Sequence, residues 1–378
     1  MAPPLAEFKL NANGIPDFDA LPLREGDPRL AAWGLYGDKD ELGFLNRLTD
    51  ERVAAAAREE IKSGKRYVAR VLLGSSYSFR SFIHSFPPTN ESGLTTSKKH
   101  KRISLNWPLN AQRHEKTFFQ RAAFHQALLD KSPRIVNDDV WTFNSQVSTQ
   151  WDGLRHFGYQ EAGLFYGGRC QDDIHGVDEG TGERSTVLGI QAWAEQGIVG
   201  RGVLVDYHGW RTSPEGQAQS KVKDYDSFES VSIPVEDLQA CLKTQGTELK
   251  FGDILFIRSG FMASLATKSE DELSAYRAVS PHRFGGVEQS EATLRWIWDH
   301  FAAVAGDQPS FERWPSTESW YMHEVLLAGW GCPIGELFDL EKLAAHCRET
   351  SRWTFFVSSE PCNVPGGVAS PPNVLAIF

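Results

Sequence analysis

No stretch of this 378-residue chain stays apolar for the roughly 18 residues that a membrane-spanning helix needs. A transmembrane protein is therefore not expected. Cysteine is scarce and scattered: Cys170, Cys241, Cys332, Cys347 and Cys362 are odd in number and far apart. No Cys-x-x-Cys pair offers zinc or redox chemistry, and reduced, mostly buried thiols are the default. There is no Gly-x-Ser-x-Gly nucleophile elbow and no glycine-rich dinucleotide fingerprint. A serine hydrolase and a nicotinamide enzyme thus gain no support, and no nucleotide cofactor is expected. Basic charge is in deficit, 39 Lys and Arg against 49 Asp and Glu, so the footprint of a nucleic-acid binder is missing. The N-terminus lacks the basic region and apolar core of a secretory signal, and the cytoplasm is the expected location. Internal repeats and low-complexity linkers are also lacking.

Aromatic side chains, by contrast, are plentiful: 12 Trp, 23 Phe and 9 Tyr. They serve either a large core or a pocket for a flat substrate. The periodicity reads as alternating helices and strands. Helices are expected over 48–61, capped by Thr49 and ended by Gly64, over 118–129, 185–196, 235–242 and 288–300. Strands are expected over 67–73, 200–206, 252–260 and 302–307. The basic run at 98–102 reads as a solvated loop in an acidic protein. Such alternation argues for an α/β fold. One continuous domain over 33–378 is expected, with residues 1–32 as an arm packed along it or against a partner.

The stretch 144–159 is unlike core-building sequence. Read as a strand, it puts Gln146, Ser148, Gln150 and Asp152 on one face and Val147, Thr149 and Trp151 on the other. Gly153 permits a bend, and His156 follows within reach of Asp152. Two amides, a carboxylate and an imidazole on one face make a candidate metal or acid-base site. The plainer alternative is the exposed polar face of an edge strand.

The same stretch resembles the signature of the cyclase family of metal-dependent hydrolases, which includes kynurenine formamidases and isatin hydrolases. That signature reads His-x-Gly-Thr-His-x-Asp-x-Pro-x-His. Thr149, Asp152 and His156 are in register with it. Gln146 and Gln150 stand at its two metal-binding histidines, Ser148 at its glycine and Leu154 at its proline. Further segments are similar in order: 33–46 to the lead-in of longer members, 200–206 and 252–260 to two strands, 288–310 to a late helix and Gly-x-Asp-x-Pro-Ser turn. His323 and Glu336 match a late histidine and glutamate at the family's metal site. The resemblance implies an α/β, swivelling-type β/β/α barrel-like single domain, assembled as a homodimer or homotetramer.

It also implies roles. Asp152 and His156 are the expected catalytic pair, with His156 moving a proton. Asp152, Gln150, His323 and Glu336 are the expected metal ligands. Gln146, Gln150, Trp151, Phe157 and Tyr159 are expected to bind a small aromatic or cyclic substrate. Two glutamines make the site oxygen-rich, which suits manganese as well as zinc, with magnesium behind them. The bland alternatives are a turn-capping Asp152, a structural His156, a surface His323, and a Glu336 capping a helix over 337–344. Asp307 reads equally as a turn former or a site residue. Three functions stay open: a metal-dependent hydrolase of an amide, lactam or ester, a metal-free dehydratase, isomerase or cyclase using His156 and Asp152, and a binder without catalysis.

Overall fold

The computed structural model describes residues 9–62, 102–112 and 117–378. The strand expected over 67–73, the stop at Gly64 and most of the basic run lie outside them. The strands are β1 (Arg102–Ser104), β2 (His125–Asp130), β3 (Asn137–Thr142), β4 (Gln150–Asp152), β5 (Ile198–Val205), β6 (Ser232–Ile233), β7 (Asp253–Ile257), β8 (Gly286–Val287), β9 (Phe301–Gly306), β10 (Ile334–Glu336), β11 (Thr354–Ser359), β12 (Ala369–Ser370) and β13 (Leu375–Ile377). Nine of them form one sheet in the order β1-β13-β11-β5-β7-β9-β10-β4-β12. At its centre β5, β7, β9 and β10 run parallel. β4 lies between β10 and β12, antiparallel to both.

The central strands show why the parallel arrangement forms. Every residue of β7 and of β9 is buried. A parallel strand covered on both faces reads as a continuous apolar run rather than an alternating one, as Ile254-Leu-Phe-Ile257 does. The helix Val235–Gln245 carries the chain from β5 to β7, and Glu291–His300 carries it from β7 to β9. The first helix, Asp50–Glu60, begins at Thr49, whose hydroxyl accepts the Arg52 N–H, as the cap reading requires. The result is the expected α/β class built on a large mixed sheet. No ladder among the described residues joins β1 to β12, the two ends of the order, so closure into a barrel is not part of the pairing.

Residues 9–32 pack along the domain. Ile15, Phe18, Leu21, Leu23 and Leu30 enter the same apolar core as the sheet. The indole N–H groups of Trp298 and Trp330 donate to Pro16 O at 3.0 Å and Leu30 O at 2.8 Å.

Some local expectations fail. The helix expected over 118–129 is a short 3-10 turn, Phe118–Gln120, followed by the β2–β3 hairpin. Phe119 and Gln120 both hold positive φ, 56° and 55°, which no right-handed helix tolerates. The helix over 185–196 shrinks to Gln191–Gln196. The helix expected to start after Glu336 begins only at Glu341, and Glu336 itself closes β10.

Candidate metal and acid-base centre

Side chains alternate across a strand, so β4 presents Gln150 and Asp152 together and turns Trp151 the other way. Only residues 150–152 of the expected long strand are extended in a ladder, and all three are buried. The edge-strand alternative therefore fails. Trp151 packs edge-on against Phe338, with centroids 5.2 Å apart, and donates to Ser359 Oγ at 3.0 Å. It belongs to the core and is not the expected substrate wall. Gly153 sits where a Cβ would come within 2.7 Å of Val368 O, so a close backbone approach excludes a side chain there. The turn that follows closes through His156 N to Gly153 O at 3.0 Å. It brings the imidazole back over Asp152, with Nε2 3.8 Å from Asp152 Oδ2.

Two other segments complete the centre. β10 places Glu336 opposite Gln150. His323 immediately precedes a π-helical turn, Glu324–Gly329, a rare feature frequent at functional sites. His323 is buried rather than on the surface. Its Nε2 lies 4.0 Å from Asp152 Oδ2 and 3.2 Å from Glu336 Oε1. Its Nδ1 is bound by Glu312 Oε2, whose other oxygen accepts the His323 N–H at 3.2 Å.

Both glutamines face the centre and hold carboxylates. Gln146 Nε2 donates to Asp152 Oδ1 at 2.7 Å and lies 3.2 Å from both ring nitrogens of His156. Gln150 Nε2 donates to Glu336 Oε2 at 2.8 Å, while Glu336 Oε1 accepts Phe311 N–H at 3.0 Å. At the centre, two buried acceptors have no hydrogen-bond partner among the described residues: Asp152 Oδ2 and Gln150 Oε1. An orphaned carboxylate oxygen in the interior is costly and calls for a proton or a cation.

The residues fit a metal ion. Asp152, His156 and His323 each offer one donor atom, and these atoms lie within 4.8 Å of one another. Donors around a tetrahedral ion at about 2.1 Å stand roughly 3.4 Å apart, close to the 3.8 Å and 4.0 Å found from Asp152 Oδ2. Glu312 behind His323 is the carboxylate–histidine arrangement that fixes a ligand's tautomer and aims its free nitrogen.

The electrostatics suit the same reading. Burial, reinforced by Glu336, pushes the Asp152 carboxyl up to about 7. Burial, with the charges of His323 and Arg121, holds His156 well below the usual imidazole range. For His323 burial acts downward, but Glu312 and Glu336 outweigh it and hold the ring well above that range. Without a metal, His323 is thus an imidazolium between two carboxylates.

Among the other predicted residues, Phe157 is at the centre, 5.4 Å from the His323 ring and 6.1 Å from His156. Tyr159 is not. Its hydroxyl donates to Arg29 O at 2.7 Å, and it lines a separate cavity of about 570 Å³ with Arg29, Trp320 and Glu324 that none of the three candidate ligands reaches. Asp307 is a loop anchor: it accepts the backbone N–H groups of Ser259, Gly260 and Met262. Glu312, Arg121, Trp314 and Tyr321 went unmarked in the sequence. Glu312 follows the Gly306–Ser310 turn by two residues, the one signal that pointed near it.

Comparison with known proteins places the chain in a family and finds one solved structure of the same architecture. A family model described as "Putative cyclase" matches residues 85–313. The crystal structure of a novel cyclase is 27% identical, with TM-score 0.69 over 92% of this chain and 99% of its own. Isatin hydrolase A from Ralstonia solanacearum is 14% identical, with TM-score 0.47 over 74% of this chain and 92% of its own. An isatin hydrolase bound to the product analogue thioisatinate is 12% identical, with TM-score 0.49 over the same shares. A search of curated proteins gives no match. The family match spans well over half the chain, and on that ground the protein belongs to the cyclase family.

Proposed function

We propose that this protein is a hydrolase of a small aromatic or cyclic amide, lactam or ester, and that its centre works with a divalent metal. The observation that carries the reading is the convergence of Asp152 Oδ2, orphaned and buried, with His156 and the Glu312-oriented Nε2 of His323. Asp152 and His323, with Glu336 beside them, would hold the ion, and His156 stands next to it with its ring free for proton transfer. Imidazole nitrogen and carboxylate oxygens suit zinc or manganese. When bound, a divalent ion supplies Lewis acidity toward a carbonyl and acidifies water.

The chain's own groups do the rest. Gln146 fixes Asp152 through Oδ1 and leaves Oδ2 free. Gln150 does the same for Glu336 through Oε2. His156, neutral at physiological pH and the most exposed of the centre's imidazoles at 20% against 9% for His323, is placed to accept a proton from the attacking water and deliver one to the leaving nitrogen or oxygen. Phe157 and Tyr321, 5.3 Å apart, shield the ring side of the substrate from water. The test is activity on formanilides, lactams and aryl esters by chelator-treated protein, before and after adding manganese or zinc. Turnover indifferent to metal and to His156→Ala refutes the proposal.

A second reading has its own support. Asp152 with a pKa near 7 beside a neutral His156 is an acid and a base held together, as a dehydratase or isomerase needs. Full activity on such a substrate in the presence of chelator would select it.

A further inference from the structure

Arg121 stands beside Gln146 at the edge of the centre and is partly exposed. Its Nη1 donates to Gln146 O at 2.8 Å. Among the described residues no Asp or Glu forms an ion pair with it. Its charge nevertheless reaches both Asp152 and His156. A guanidinium beside a low-dielectric site, with one hydrogen-bond acceptor among the described residues, has donors to spare, and its planar fork matches a carboxylate.

Arg121 is held in place by built contacts. Thr117 Oγ1 donates to Arg121 O, and Phe118 N–H donates to Gln112 Oε1 at 2.8 Å. Gln112 Nε2 in turn is tied to Val147 O, so the segment is clamped to the same stretch that carries Gln146. Between them, Phe119 and Gln120 keep left-handed backbones, a conformation that persists in non-glycine residues only where surroundings enforce it.

This edge is also aromatic. The Arg121 guanidinium lies 5.0 Å over the Phe119 ring. Phe119 packs on Trp314 at 5.8 Å, Trp314 stacks on Tyr321 at 5.7 Å, and Tyr321 meets Phe157 at 5.3 Å. Phe157 touches both histidines of the centre. A row of rings thus leads from the buried donors to a single cation.

We infer that Arg121 is a specificity residue, and that the substrate is an aromatic acid derivative: a ring that lies along Phe157, Tyr321 and Trp314 and carries a carboxylate bound by Arg121. This deepens the hydrolase reading and rests on it for the reacting bond. The carboxylate subsite itself is testable without turnover.

The experiment is calorimetric titration of the full chain with benzoate and with benzamide, which have the same ring and differ in charge. The wild type is expected to bind benzoate at least about tenfold more tightly, in the range of a charge-assisted hydrogen bond. Arg121→Gln removes the preference, and Arg121→Lys keeps part of it. Thermal midpoints of both variants verify folding. Equal binding of the two ligands by the wild type, or a preference for benzoate that survives Arg121→Gln, overturns the inference. N-formylanthranilate and formanilide are then compared as substrates. A benzoate preference that depends on Arg121, with neither compound hydrolysed, upholds the subsite and sinks the hydrolase instead. Hydrolysis of both at equal kcat/KM, unchanged in Arg121→Gln, upholds the hydrolase and sinks the subsite.

Discussion

Replacing Asp152 by Asn is expected to stabilise the metal-free protein, and to do so only at higher pH. The carboxyl titrates near 7 in the folded chain against 3.8 in its ordinary state. A raised carboxyl pKa means that the folded state binds the proton more tightly than the unfolded state. Stability from this group is therefore full below about pH 4 and is lost as pH rises through 7. At about 1.4 kcal/mol per unit, the ionised form costs on the order of 4 kcal/mol above pH 7. Asparagine keeps an oxygen for Gln146 Nε2, which now holds Oδ1, and never ionises. For 378 residues an unfolding entropy of roughly 0.8 kcal/mol/K makes that difference about 5 °C in midpoint. The assay is thermal unfolding of parent and Asp152→Asn with chelator at pH 4.5, 6 and 8. The two curves should nearly coincide at pH 4.5 and separate progressively toward pH 8. A gap that is constant with pH, or absent at pH 8, refutes the claim that Asp152 is an uncompensated buried acid. Added zinc or manganese should reverse the order at pH 8, because only the parent retains the carboxylate ligand.

Three further outcomes are expected. His156→Ala lowers turnover by about 10²–10⁴-fold, with a midpoint near the parent's, since among the described residues the ring's hydrogen-bond contacts are to Gln146; steady-state kinetics and melting on one preparation decide this. Glu312→Gln weakens divalent-ion binding by about 10–100-fold, as loss of a carboxylate behind a ligating histidine does, and calorimetry with zinc measures it. Gln150→His moves preference toward zinc over manganese by offering imidazole beside Glu336, and parallel titrations with both ions would show no such change if Gln150 Oε1 faces away from the ion.

Much of the fold was legible because its signals are local. Ile254–Ile257 reads as a buried strand from four consecutive apolar residues, and Thr49 announces its helix by the chemistry of its cap. The segment from Thr117 to Thr142 was not legible, because what shapes it is remote. Phe118 N–H and Phe119 N–H find partners in Gln112 Oε1 and His282 Nδ1, and the positive φ of Phe119 and Gln120 follows from that docking rather than from propensity. The hairpin beyond it leaves Leu128, Val140 and Trp141 exposed, so its apolar residues carry no core signal to separate strand from helix.

The centre was legible where it lies on one strand and hidden where it depends on others. Alternation alone joins Gln150 to Asp152 and sends Trp151 to the core. Nothing in the spacing of Glu312 and His323 shows that one clamps the other. The glutamines illustrate how the parts fit. At the two places where the resembling signature carries ligand histidines, this chain has amides, and each spends its N–H on one oxygen of a carboxylate: Gln146 on Asp152 Oδ1, Gln150 on Glu336 Oε2. Imidazole is then supplied from outside those positions, by His156 across the Gly153 turn and by His323 from the segment before the π-helical turn. A carboxylate fixed at one oxygen presents the other in a single direction, which lowers the ordering entropy of binding whatever meets it. The exchange of histidine for glutamine thus keeps the donors converged while changing which residues supply nitrogen.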